Sequence, residues 1–160
     1  MHIEFQFENE TEITARLGGV TSAIENEIIS TISLLTPELA AFVVEQKLSG
    51  QVLNKRTGKL QESIKALGVT QGENIVTGTV TQDNDIASYG IIHEFGGNIP
   101  SRTGSPMHWI GDEGESVFAT FARGFTLPER SFMRSALEDF APHVEEMILL
   151  AVARGIEQGE

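Results

Sequence analysis

Two runs of apolar residues at helical spacing flank a middle segment punctuated like a β-hairpin, and this arrangement constrains the fold more than any other feature of the chain. In the first run Val20, Ile24, Ile28, Ile32 and Leu35 recur every three or four residues, leaving Glu25 and Glu27 on the outer face. In the second, Phe132, Ala136, Leu137, Phe140, Val144, Met147, Ile148 and Ala151 keep the same period to about Gly155. Between them, residues 66–71 and 75–82 read as strands joined by Gly72-Glu73-Asn74, a turn of hairpin length whose Gly and Asn tolerate positive φ. The chain is therefore expected to be α+β, with a small, mostly antiparallel sheet packed against N-terminal helices and a long C-terminal helix.

Two prolines set the expected boundaries. Thr36-Pro37-Glu38 should end the first helix, because Pro has no amide hydrogen to continue the ladder, and should open a second over residues 37–49 with Thr36 as its cap. Pro142 predicts a kink or a break into two helices near Ala141. Residues 2–8 alternate Ile3, Phe5 and Phe7 with polar neighbours, the period of a half-buried strand. A short helix is expected to begin near Thr57, and Asp83-Asn84-Asp85 to turn the chain. Residues 116–127 read as another strand, and residues 96–107 as a long exposed loop of small, polar and Pro residues. No repeat or linker divides the 160 residues, so 1–160 is read as one domain.

Charge and cysteine content remove several functions. With 11 Lys and Arg against 23 Asp and Glu, the net charge of −12 disfavours wrapping a nucleic acid with the whole surface. The absence of Cys excludes disulfides, thiolate zinc sites and a Cys nucleophile, and suits a reducing cytoplasm. The acidic start is unlike a signal peptide, and no apolar stretch reads as long enough to span a membrane, so a soluble protein without membrane partners is expected. Lys55, Arg56, Lys59 and Lys65 form the one basic concentration.

Catalytic patterns are fragmentary. His93-Glu94 begins like the zinc-protease helix motif, but Gly97 stands where the second His would be. His93 with His108 leaves a partial metal site, so a small metal-dependent hydrolase using His93, Glu94 and His108 is the alternative from a different functional class. Gly104-Ser105-Pro106 lacks the following Gly of a nucleophile elbow. Gly111-Asp-Glu-Gly-Glu-Ser116 lacks the alternating oxygen ligands of a calcium loop. Phosphate-cradling glycine motifs are absent, and no cofactor is expected.

Three segments in order carry a resemblance instead: Ser49-Gly-Gln-Val-Leu-Asn-Lys-Arg-Thr-Gly-Lys-Leu-Gln-Glu-Ser-Ile64, Tyr89-Gly-Ile-Ile-His-Glu-Phe-Gly-Gly97 and Leu127-Pro-Glu-Arg-Ser-Phe-Met-Arg-Ser-Ala-Leu137. From about Leu48 to Leu137 the chain resembles the tail-completion, or virion-morphogenesis, proteins of tailed bacteriophages. Glu129 and Ser131 stand where that family more often has Ala and Pro.

The resemblance implies a virion protein of the phage neck, made and assembled in the host cytoplasm, that completes the head-proximal end of the tail as an oligomeric ring and catalyses no reaction. Tail terminator and head-closure adaptor are the nearest alternatives. It implies a short helix closed by the Glu94-Phe95-Gly96 turn and a last helix opened by the Phe132 segment; read from the residues themselves, Phe95 is expected to enter the core and Gly96 to supply a left-handed cap. Expected partners are copies of the same chain, six being the preferred number, and the head-closure and tail-terminator or tail-tube proteins. In such a ring Lys55, Arg56 and Lys59 would multiply into a collar facing packaged DNA or an acidic ring; a solvated loop is the other reading. Ile99, Met107 and Trp109 are the candidate apolar anchors of the 96–107 loop, and Arg102 a candidate ion-pair partner.

Overall fold

The computed structural model describes residues 10–50, 52–53, 57–72, 75–99, 107–110, 116–119 and 125–159. The strand expected at residues 2–8 lies outside them. The described chain is α+β, as the periodicities predict. Helix α1 spans Glu10–Phe42 and passes into a π-helical turn at Val43–Lys47; the short helix α2 is Lys59–Glu62. Strands β1 (Ile64–Gln71) and β2 (Val76–Gln82) form the expected antiparallel hairpin, with Ile64 opposite Gln82 and Gln71 opposite Val76. Helix α3 (Gly90–Phe95) leads into β3 (Gly97–Ile99), followed by β4 (Met107–Ile110), β5 (Ser116–Ala119), β6 (Phe125–Leu127) and helix α4 (Met133–Gly159). β3 pairs with β6 and β4 with β5, both antiparallel.

Five expected boundaries are corrected. α1 begins well before the apolar run that opens at Val20 and continues through Pro37, and α4 runs through Pro142, so neither proline ends a helix. The reason is the same at both. Pro37 and the residue four before it, Ser33, are exposed, as are Pro142 and Glu138, so the carbonyl that loses its donor lies on the solvent side of its helix. The opposite faces of α1 and α4 pack on one another, so both helices continue across the gap. Residues 116–127 are not one strand but contribute β5 and β6 to different hairpins, and the 96–107 loop starts as β3. Fusion of two expected helices also means that residues 16–47 are long and apolar enough, by length and composition, to cross a membrane. That corrects the expectation from sequence; here the helix packs against α4 and the β1–β2 hairpin.

The α1–α4 pair is antiparallel. Its core end gathers Val43, Leu48, Leu53, Phe132 and Ala136, with Leu39, Phe42, Leu60, Ile64 and Met133 around them. The Phe42 and Phe140 rings meet there at 5.4 Å. Lys47 binds Asp139 at 2.6 Å beside them. At the far end Ala151 is fully buried, and an added Cβ at Gly155 or Gly159 would come within 2.5 Å of the Ile24 or Val20 Cα. These three small residues, four apart, are what lets the helix backbones approach. The hairpin is held on α1 in the same way: a Cβ at Gly78 would lie 2.1 Å from the Thr36 hydroxyl. Of the apolar positions read as core on α4, Phe140 is buried but Leu137 is 54% exposed. The 3.6-residue period places Leu137 beside the stripe that faces α1, where it borders a groove.

Candidate functional site: a carboxylate that joins two segments

α3 is tied to the end of β2 before it reaches any other element. The Gln82 amide donates to the carbonyls of Asp83 and Ala87, both at 2.8 Å, and the Asp83 amide donates to the Ser63 carbonyl at 2.7 Å. The Asp85 amide donates to the Asp83 carboxylate at 3.0 Å, forming the expected turn. Lys65 binds the same carboxylate at 2.6 Å and, with that turn, holds the Asp83 carboxyl below its ordinary value.

α3 stops at Gly96, whose φ of +66° favours a residue without a Cβ. Space requires glycine there too: a Cβ would sit 2.7 Å from the Glu129 amide nitrogen and 3.0 Å from the Leu127 carbonyl. The incoming β6 segment therefore crosses directly over the end of α3, in register with β3, with Gly97 opposite Leu127. Gly96 has positive φ, but its ψ of −175° lies outside the left-handed helical region expected of the cap, and Phe95 does not enter the core; it is 66% exposed. Glu94 is the residue that turns inward.

Glu94 is 7% exposed and its carboxylate organises the start of α4. One oxygen accepts from the Phe132 amide at 2.7 Å and the Met133 amide at 2.9 Å. The other accepts from the Arg134 amide at 3.0 Å and the Ser131 hydroxyl at 3.2 Å. Helix N-termini leave their first amides without partners and carry partial positive charge, so an anion placed there is stabilised by both effects. α4 has no acidic residue in its own first turn. The charge comes from a residue 38 positions upstream of Phe132, and the side chain so fixed, Phe132, is 1% exposed at the centre of the core. The second and third sequence segments are thus one physical unit. The missing acid at the start of a long helix signals that an acceptor must come from elsewhere, but does not single out Glu94.

His93 lies on the same turn. Its ring meets Tyr89 edge-on at 5.8 Å, its carbonyl accepts from the Arg130 amide at 2.8 Å, and its Nδ1 is buried without a hydrogen-bond partner. Burial first, and the nearby Arg130 charge second, hold its pKa below the ordinary 6.5. Among the described residues no group of three metal-binding side chains occurs. Met107, His108 and Trp109 fall on β4, whose side chains lie outside what is described.

The basic residues do not form one described patch. Lys59 is exposed on α2 and Lys65 is engaged by Asp83, whereas Lys55 and Arg56 lie outside the described residues, as does Arg102. Ile99 ends β3, half-buried and opposite Phe125. Beside the Glu94 junction runs an open, mainly apolar groove of about 610 Å³ between the Gly78–Gln82 edge of β2, Leu39 of α1, Val43 of the π-helical turn, α3, and the first turns of α4. Ile91, Phe95 and Leu137, all half or more exposed, line it. Compared with protein-family models, curated proteins and solved structures, the chain matches none.

Proposed function

We propose that this chain is a structural subunit of a tailed-phage neck, one that completes the head-proximal end of the tail and enables head–tail joining as a ring of identical copies. The observation that carries the reading is the Glu94 junction. Two of the three segments on which the resemblance to tail-completion proteins rests meet through four hydrogen bonds to one carboxylate, so their shared pattern describes a joint in a scaffold. A hydrolase that used Glu94 as its base would need that carboxylate facing a water, and here both oxygens are taken by the start of α4. The apolar groove beside the junction supports association with other chains, since contiguous exposed apolar surface of this kind marks interaction sites. Deleting the gene from its phage is expected to leave DNA-filled heads and separate tails under the electron microscope. Joined, infectious virions at normal yield would refute the assignment.

A further inference from the structure

We propose that the groove receives residues 2–8 of a second copy of the chain, added as a strand to the open edge of β2; the inference deepens the ring reading and rests on its self-association. Among the described residues β2 has β1 as its sole strand partner, and its opposite edge faces the groove. A strand edge presents unpaired amide and carbonyl groups, and an incoming extended segment satisfies them.

The two faces of the hairpin specify what kind of segment fits. Gly78 packs on α1, so the alternating positions Thr77, Thr79 and Thr81 point to the other, polar side. A strand continuing that sheet needs apolar residues toward α1 and α4 and polar ones on the threonine side. Residues 2–8 have that alternation: Ile3, Phe5 and Phe7 against His2, Glu4, Gln6 and Glu8.

Reach decides which copy supplies it. The groove lies beside Leu39 and Val43, and Glu10 opens the same helix 29 residues before Leu39, which is about 43 Å at 1.5 Å per residue. Phe7 is three residues from Glu10 and so stays within about 11 Å of it. The chain's own Phe5 and Phe7 fall short of its own groove by tens of ångströms. A neighbour's do not, and donation from each subunit to the next is a head-to-tail contact, the kind that closes rings.

The test uses full-length protein carrying Phe5→Asp and Phe7→Asp, with a synthetic peptide of residues 1–9 as the probe. The peptide is expected to bind this variant with 1:1 stoichiometry in titration calorimetry, and to slow amide exchange at residues 76–82. A further Leu137→Asp change at the exposed groove wall should weaken binding at least tenfold while leaving the melting temperature within a few degrees. No binding, or protection confined to residues away from β2 and the groove, overturns the proposal. So does binding that Leu137→Asp leaves unchanged. These measurements need no phage. Failure of the peptide would remove the strand and leave the neck assignment standing, whereas normal virions after gene deletion would remove the neck assignment and leave the strand exchange.

Discussion

The two ends of the α1–α4 pair are fastened by opposite means. At the core end a buried carboxylate and large aromatic rings set the geometry: Glu94 fixes the first turn of α4, and Phe132 and Phe140 fill the space behind it. At the far end, among the described residues, no large side chain is fully buried. Ala151, Gly155 and Gly159 let the backbones touch, and Arg154 bridges to Glu27 at 2.9 Å and to the buried Thr31 hydroxyl at 3.3 Å. The difference shows that one helix pair can be locked by filling space at one end and by removing side chains at the other. Exposed apolar side chains occur at both ends: Ile91, Phe95 and Leu137 border the groove beside the polar junction, and Leu149, Leu150 and Ile156 lie along the far half of α4.

If this division is right, the largest loss should follow from Phe132→Ala. Truncating a fully buried aromatic ring costs about 3 to 5 kcal/mol, read by denaturant unfolding. Glu94→Ala should come next, at about 2 to 3 kcal/mol, because it removes a cap and leaves partly buried amides without their charged acceptor. Gly155→Ala sharpens the contrast, since its sign is at issue. Ala is the better helix former by about 1 kcal/mol, yet its Cβ would collide with backbone, and a net loss of about 1 to 3 kcal/mol is expected. A stabilised Gly155→Ala protein would show that the helices are not in contact there.

Leu137→Ala should cost under about 1 kcal/mol, in contrast to Phe132 on the same helix. This is also where the sequence was least legible. Periodicity marks a stripe but not its edges, so Leu137 reads as core beside Phe140 although it faces the groove. The hairpin was legible because Gly72 and Asn74 sit between alternating segments. Helix ends at Pro37 and Pro142 were misread because a proline's local cost depends on whether the orphaned carbonyl reaches water, which only the packing of α1 on α4 decides. The Glu94 contact was beyond local reading, because its partners lie some 40 residues downstream. What the sequence did carry was three segments that resemble one family's signatures, and the fold joins the second and third through Glu94.

The smallest effects expected are on pH dependence, and they fall in different windows at the two ends. His93 is held below 6.5, so the folded state binds its proton less readily than the unfolded chain. Its contribution to stability is complete above 6.5 and declines as pH falls below it. Glu27, hydrogen-bonded by Arg154 and Gln158, is held below 4.5, and its contribution is lost only as pH falls below that value. Replacing His93 with Phe should flatten the first window alone, and Arg154→Met the second alone, in melting curves taken across pH 3 to 8.

Glu94 makes the second and third of the resembling segments one mechanical unit, local to the start of α4. Native-state amide exchange of the wild-type and Glu94→Gln proteins tests it most directly. The prediction is a loss of protection at Phe132, Met133 and Arg134 and in the turn that follows, with protection around Ala151 and Gly155 unchanged. Equal protection at those amides in both proteins, or a uniform loss along the whole of α4, would contradict it.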